Sequence, residues 1–334
     1  MPDETPFPTA LPPGRTTLTQ ISSTAWEHPA DRAALNALRA LPGFDEVVRK
    51  VMSYFGEKGI RQLFLANAVR VGPTQRPDLD ALYTEVLGTL DWQKRPELYV
   101  TETPIANAAA VGFENPFIIV HSGALELLDR EEQRALLAHE VGHIMSGHAT
   151  YTTLALLIVF IGIGRLAIMS GLTLLPFQLA ILEWQRKAEF SADRAALLGV
   201  QDVKTAMRMH LKFAGGREYG DTIDVDAFIQ QAREYETGGG AWEAVLKILN
   251  TAFRTHPFST VRVAELQRWI DAGGYDAILR GEYVRRGTES QRPLGDDLAD
   301  ASGYYGQAAR ETFAAFGESL GRAKAAFDDA WKKR

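Results

Sequence analysis

Apolar residues in the first quarter of the chain recur at helical spacing. Leu35, Leu38 and Leu41 fall on one face of a helix, with polar residues between them. Comparable spacing continues to about residue 92. We therefore predict a helical N-terminal region over residues 18–92 that covers the next domain, and its sequence indicates no chemistry.

The hydrophobic period changes near residue 97, where short runs typical of strands begin. Leu98, Val100 and residues 118–120 are apolar and β-branched or aliphatic, and residues 107–111 lie between them, bounded by turn signals. A helix is predicted from about Asp129, which is placed to cap it, to about His148. This order predicts an α+β fold that is mostly helical, with a small β-sheet.

The two ends of the chain differ from its centre. Residues 1–17 are rich in proline and predict a disordered tail. Residues 285–300 are polar and predict a linker, after which apolar residues from Ala309 to Trp331 recur at steps of three and four. We therefore divide the chain into a tail (1–17), a helical region (18–92), a central domain (93–284), and a linker with a C-terminal amphipathic helix (285–334).

Composition narrows the classes of function. The chain has 334 residues, 46% of them hydrophobic, which suffices for a large core. The net charge of −6 and the absence of a Lys/Arg-rich run argue against a nucleic-acid partner. The sequence has no cysteine, so disulfides and thiolate metal sites are excluded. The N-terminus lacks the basic and apolar regions of a signal peptide, and we expect a cytoplasmic location.

The run His139-Glu140-Val141-Gly142-His143 carries the strongest chemical signal. Histidines at positions i and i+4 project from one helix face, so both imidazoles can bind one zinc ion at about 2.0–2.1 Å. Glu140 lies between them and can accept a proton from water as a general base. A catalytic zinc site needs a third protein ligand and keeps its fourth position open.

Two candidates exist for the third ligand. His148 lies nine residues after His139, half a turn from the ligand face at about 100° per residue, so we expect it on the surface or beside a ligand. Glu189 and Asp193 lie one helical turn apart and face the same way. Glu189 could bind the zinc while Asp193 accepts the free N–H of a ligating histidine. The alternative is an exposed acidic helix face.

Five blocks of sequence resemble one family. They are Asn107–Ala110, Gly123–Leu125, Ala138–His143, Glu189–Asp193 and Thr255–Pro257. In this order they look like metallopeptidase family 48, which contains the HtpX-like proteases and the CAAX prenyl endopeptidases. The resemblance covers about residues 98–266. It implies a gluzincin-type zinc peptidase domain at residues 93–284 with one Zn²⁺ per chain.

The resemblance also implies roles for single residues. His139, His143 and Glu189 would be the zinc ligands, Glu140 the general base, and Asp193 the residue that orients a ligating histidine.

Further positions follow from the same resemblance. His256 would donate a hydrogen bond to the oxyanion of the tetrahedral intermediate, or cap the resting zinc as a fourth ligand. Arg262 matches a family arginine close to the site. Substrate backbone would pair by strand addition with an edge strand that contains Asn107, Ala108, Ala109 and Ala110.

The apolar stretch 154–182 raises the question of a membrane. His143 before it and Glu189 after it must reach the same zinc, so a single crossing is impossible. Each arm of a hairpin has about 14 residues, or roughly 21 Å, against a hydrocarbon core of roughly 30 Å. We expect an apolar helical hairpin buried in the protein, with an oligomer contact or shallow membrane contact as alternatives.

The function that these features favour is a zinc-dependent metalloendopeptidase acting on polypeptides. Two alternatives stay open at this point. The chain could be a zinc-containing polypeptide-binding, holdase-like protein that does not cleave, although binding alone requires neither Glu140 nor His256. It could also be an aminopeptidase, which would need an additional acidic group to hold a free amine.

Overall fold

The structure is a computed structural model. It describes residues 14–41, 43–161, 175–216, 224–237 and 256–289. These residues form eleven α-helices: α1 Pro29–Arg39, α2 Phe44–Leu65, α3 Pro77–Thr89, α4 Ser122–Leu127, α5 Arg130–Met145, α6 Ala149–Ile161, α7 Leu175–Val200, α8 Val203–Gly215, α9 Val225–Thr237, α10 Ser259–Asp271 and α11 Gly274–Leu279. They also form four strands: β1 Ala68–Arg70, β2 Leu98–Thr101, β3 Ala108–Val111 and β4 Phe117–His121. The predicted α+β fold, mostly helical with a small sheet, is confirmed.

The sheet is mixed and has the strand order β1-β2-β4-β3, so β3 is an edge strand of the described sheet. β2 pairs with β4 in parallel, whereas β3 and β4 are antiparallel, with Ala109 opposite Ile119. His121 N donates to the Asn107 carbonyl at 3.0 Å. Because hydrogen-bonded pairs alternate along an antiparallel ladder, Ala108 and Ala110 direct their backbone N–H and C=O groups away from β4.

Helix α5 begins where the sequence predicts, but it ends earlier. Asp129 forms a capping box at its N-terminus. The helix ends at Met145, and Gly147 adopts a φ of 71°, which favours glycine. The chain therefore turns back, and His148 N donates to the His143 carbonyl at 2.8 Å.

Helices α5 and α7 approach each other closely because glycines lie at the contact. A Cβ atom on Gly142 would lie 2.4 Å from Ala195 Cβ, and one on Gly199 would lie 2.2 Å from Ala138 Cβ. Both distances are too short for real carbon atoms. The glycines thus permit the approach that brings the acidic residues of α7 to the histidine face of α5.

The N-terminal helical region shares its cores with the central domain. Trp26 and Tyr83 belong to the same buried cluster as Val141 of α5. Leu38 of α1 belongs to a second cluster, with Phe117 of β4 and residues of α6 and α7. Helix α1 packs along α7, so residues before position 40 lie close to the motif helices.

The apolar stretch 154–182 is described only at its two ends. Leu154 and Leu157 of α6, and Ile181 of α7, are buried in the second cluster. Residues 162–174 lie outside the described residues, as do residues 1–13 and 290–334, which include the predicted C-terminal helix. Of the helices that the structure describes, none is long and apolar enough to cross a membrane.

Candidate active site

Three side chains converge between α5 and α7. The Nε2 atoms of His139 and His143 are 3.1 Å apart. Glu189 Oε2 lies 3.4 Å from His139 Nε2, and Glu189 Oε1 lies 3.5 Å from His143 Nε2. All three residues are buried, and their donor atoms lie within 4.8 Å of one another. Two imidazoles and a carboxylate that face one point form a donor set that fits a single divalent cation.

His139 is supported directly by a carboxylate. Its Nδ1 lies 3.1 Å from Asp193 Oδ1. Arg262 donates to both oxygens of Asp193, and its Nη1 also lies 3.1 Å from Glu189 Oε2. His210 of α8 contributes an Nε2 that lies 3.4 Å from Asp193 Oδ1. Asp193 can accept the Nδ1–H of His139, which leaves the Nε2 lone pair directed at the metal position.

His143 is supported through a second imidazole. Its Nδ1 lies 3.0 Å from His148 Nδ1, and His148 Nε2 lies 3.1 Å from Asp31 Oδ2 of helix α1. Asp31 also accepts hydrogen bonds from Trp184 Nε1 at 3.0 Å and from Ser191 Oγ at 2.5 Å. A continuous chain of polar contacts therefore runs from a candidate ligand to the N-terminal region.

The sequence left open a surface position for His148 or a position beside a ligand, and the structure shows the second. The residue is buried, at 1% exposure, and its Nδ1 contacts the candidate ligand His143. In a helix that continued to residue 148, this side chain would point away from the ligand face. Because α5 ends at Met145 and the chain reverses at Gly147, the ring returns to His143 instead of pointing to solvent.

Glu140 is a buried carboxylate without a protein partner at one oxygen. The residue is 3% exposed, and its Oε2 accepts no hydrogen bond from the protein. Burial raises the pKa of Glu140 to about 7, although His139 and Arg262 act in the opposite direction. Its carboxylate faces a cleft of about 90 Å³ lined by Asn107, Ala108, Ala109, Ala110, Glu140, His143, Thr152, Leu156, Gln185, Glu189 and His256.

His256 lies at the rim of this cleft. Its side chain is 40% exposed, and its Nε2 lies 3.5 Å from Glu189 Oε1. The structure thus brings His256 together with the three donor residues and Glu140. Its predicted role as oxyanion donor or fourth ligand stays a prediction.

The charge states of the donors follow from their surroundings when no cation is bound. Burial lowers the pKa of His139, but Asp193 and Glu189 outweigh it and raise that pKa to about 9. Burial lowers the pKa of His143 to about 4. Burial opposes ionisation of Glu189, yet His256 and Arg262 hold its pKa well below the usual value.

The sequence reasoning missed two residues of this site. Asp31 lies four residues before Leu35 and seven before Leu38, on the apolar face of α1. A charged residue on an apolar face was the signal available. His210 is buried on α8, and nothing in its sequence context distinguishes it from a core histidine.

Comparisons with known proteins agree with this geometry. The model of peptidase family M48 matches residues 73–270. The plastoglobule-localized metallopeptidase 48 of Arabidopsis thaliana chloroplasts is 31% identical over 266 residues, which is 78% of this chain and 76% of that protein. An HtpX protease homologue of Helicobacter acinonychis is 25% identical over 230 residues, 61% of this chain and 71% of that protein. No solved structure shows a significant match.

The fold and the donor set are those of a metal-dependent peptidase. The chain belongs to peptidase family M48, which confirms the family predicted from the five sequence blocks. It is therefore a metallopeptidase that acts on polypeptide substrates.

Proposed function

We propose that this metallopeptidase is a zinc-dependent endopeptidase that hydrolyses internal peptide bonds of flexible polypeptides. The observation that carries the proposal is the convergence of His139, His143 and Glu189 beside the unpartnered oxygen of Glu140, in a cleft bordered by an edge strand.

The donor set favours zinc over harder cations. Two imidazole nitrogens and one carboxylate, with a position left open, are characteristic of catalytic zinc, whereas magnesium and calcium prefer oxygen donors. His139, His143 and Glu189 would hold the ion. When bound, zinc polarises the scissile carbonyl and lowers the pKa of water at the site.

Glu140 is suited to move the proton. It is a buried carboxylate with one oxygen that has no protein partner, so it can accept a proton from the attacking water and return that proton to the leaving amine. The cleft also gives it access to the substrate. His256, at the rim, can donate a hydrogen bond to the developing oxyanion.

The outer edge of β3 offers a place for the substrate backbone. Ala108 and Ala110 direct their N–H and C=O groups away from β4, and both residues line the cleft. The backbone of Ala110 is hydrogen-bonded to Glu140, so the N–H and C=O of Ala108 are the groups offered to a substrate. The small side chains of both alanines leave room for an extended peptide. A substrate that pairs here by strand addition would be bound largely through its main chain, which fits broad sequence tolerance and a preference for unfolded segments.

The cleft composition favours an endopeptidase over an aminopeptidase. Among the described residues that line it, the carboxylates are Glu140 and Glu189, and the proposal assigns them as base and ligand. No further acidic group in that lining is available to hold a free amine. The buried Glu140 also argues against a protein that only binds polypeptides, because binding alone does not need a buried base.

The proposal is tested by comparing wild type with Glu140→Gln and a control, Glu131→Gln, on the same helix. Each protein is analysed for zinc and assayed on an unfolded protein substrate. We expect Glu140→Gln to keep stoichiometric zinc and to lose activity by at least about 10²-fold, whereas Glu131→Gln cleaves normally. Comparable turnover by Glu140→Gln would reject the mechanism.

Blocked peptides separate internal from terminal cleavage. We expect a peptide with an acetylated N-terminus and an amidated C-terminus to be cut at internal bonds, as seen by mass spectrometry of the products. Cleavage restricted to peptides with a free N-terminus would establish the aminopeptidase alternative.

A further inference from the structure

Each candidate histidine ligand makes a polar contact on the side away from the metal position. His139 contacts the Asp193 carboxylate directly, at 3.1 Å. His143 instead contacts His148, which contacts Asp31 at 3.1 Å. Every residue in this second path is at most 7% exposed. Solvent therefore does not replace its hydrogen bonds.

The hydrogen bonds of the second path have one consistent direction when His143 binds a metal through Nε2. The Nδ1 of His143 then carries its proton and donates to the lone pair of His148 Nδ1. His148 is left with its proton on Nε2, which donates to Asp31 Oδ2. Asp31 can accept this bond together with those from Trp184 and Ser191, because an ionised carboxylate has four lone-pair sites.

We propose that Asp31 is a positioning residue for the metal ligand His143 and acts on it through His148. The inference rests on the proposed function, since it takes His143 to be a ligand. It makes the N-terminal helical region part of the metal site. Asp31 lies before residues 73–270, which the family model matches, so the contribution comes from outside the family motifs.

The surroundings of Asp31 fix its carboxylate in place. Its Oδ1 is held by the indole N–H of Trp184, and its Oδ2 by the hydroxyl of Ser191. Ser191 is itself bound by the backbone N–H of His28 at 2.8 Å. Trp184 and Ser191 belong to α7, the helix that also carries Glu189. The carboxylate is therefore fixed relative to a second candidate ligand of the same metal.

The same interface supplies a matched control carboxylate. Glu265 of α10 is also buried, at 3% exposure, and its Oε2 lies 3.4 Å from His28 Nε2. It contacts neither the candidate ligands nor His148 in the described contacts. Glu265→Gln therefore removes a buried charge at the imidazole of His28, while the backbone N–H of His28 that binds Ser191, and the contacts of Asp31 and His148, stay in place.

The first measurement is the zinc dissociation constant, determined by competition with a chelator for the full chain. We expect Asp31→Asn to weaken zinc binding by about 10-fold, the lower end of the loss caused by removing a direct partner of a ligand, because Asp31 acts through His148. Glu265→Gln should stay within about threefold of wild type. Equal affinities of Asp31→Asn and wild type, or equal losses in both variants, would overturn the inference.

A double-mutant cycle tests the route through His148. If Asp31 acts through that ring, Asp31→Asn should cause little further loss of zinc affinity in a His148→Leu background. Additive losses in the double variant would show that Asp31 acts by another route. Circular dichroism and thermal unfolding of the metal-free variants establish that each is folded before its affinity is compared.

A third measurement needs only the wild-type chain and so does not depend on how variants fold. Nitrogen-15 NMR of the imidazoles in the zinc-loaded protein should show His143 protonated on Nδ1 and His148 protonated on Nε2 only. A His148 proton on Nδ1 would exclude the path. Absence of zinc binding by wild type would instead refute the proposed function, and with it this inference, so the two failures are distinguishable.

Discussion

The two halves of the metal site are supported by different chemistry. On the His139 side, Asp193 contacts the ring directly and is paired with Arg262 through two hydrogen bonds. On the His143 side, the carboxylate of Asp31 is one imidazole away. The first support comes from the helix that carries Glu189, and the second from a helix more than a hundred residues earlier in the chain.

This difference shows which kind of support a sequence reveals. Asp193 lies four residues after Glu189, so helical periodicity alone places both on one face. Asp31 reaches His148 only because α1 packs along α7 and because the chain reverses after α5. Local spacing encodes the first contact, whereas tertiary packing creates the second.

The largest effect is expected from the ligand that both halves share. Glu189→Ala removes the carboxylate that faces both His139 and His143. We expect its zinc affinity to fall by more than the roughly 10–100-fold loss typical of residues that only support a ligand. The measurement is the zinc content after dialysis against a weak chelator. Stoichiometric zinc in this variant would mean that the third ligand lies elsewhere.

We expect smaller effects when either supporting carboxylate, Asp193 or Asp31, is neutralised. The free energy of unfolding should fall more for Asp193→Asn than for Asp31→Asn. Asp193→Asn deprives Arg262, whose side chain is 12% exposed, of its bidentate partner, although Glu189 remains nearby, so we expect about 3 kcal/mol of destabilisation. Asp31 is also bound by the neutral donors Trp184 and Ser191, and Asp31→Asn should cost about 1–3 kcal/mol. Urea unfolding of the metal-free proteins measures both. A larger loss of unfolding free energy in Asp31→Asn than in Asp193→Asn would contradict this prediction.

The smallest expected effect is on how the free energy of unfolding depends on pH, and it involves His28, which caps the helix that carries Asp31. His28 caps α1, the helix that carries Asp31, and burial lowers its pKa to about 4. Between that value and about 6.5 the unfolded chain binds the proton and the folded chain does not, so stability falls as the pH falls. His28→Asn keeps a capping side chain but does not titrate.

The expected result is a shallower decline of the unfolding free energy between pH 6.5 and 4 in His28→Asn. The slope should decrease by up to about 1.4 kcal/mol per pH unit, the value for one proton. Burial also lowers the pKa of other histidines, such as His210, so the unfolding free energy of the variant should still decline with falling pH. Urea unfolding at several pH values provides the measurement, and parallel curves for the two proteins would contradict the prediction.

Several features of the fold were predictable from local pattern. The start of α5 follows from the capping position of Asp129 and the spacing of the histidines. The end of α5 was predicted three residues too late, because apolar periodicity does not register the turn at Gly147. The sequence left open two positions for His148, on the surface or beside a ligand, and the turn at Gly147 produces the second.

The close approach of α5 and α7 is a second feature that local sequence pattern does not predict. Gly142 and Gly199 let the two helices come together, yet a glycine within a helical pattern does not identify its neighbour. The partner atoms belong to Ala195 and Ala138, which local sequence cannot associate with them. Glu189 could therefore be placed on the correct face of its helix from spacing, but its distance from the histidines required the tertiary structure.

The most direct test of the metal site is anomalous diffraction at the zinc absorption edge from crystals of the zinc-loaded protein. We predict one anomalous peak at about 2.0–2.2 Å from Nε2 of His139, Nε2 of His143 and a carboxylate oxygen of Glu189, with Asp193 and His148 each contacting the far side of a ligand ring. A peak bound directly by Asp193 or His148, or a site elsewhere in the molecule, would contradict this account of the metal centre.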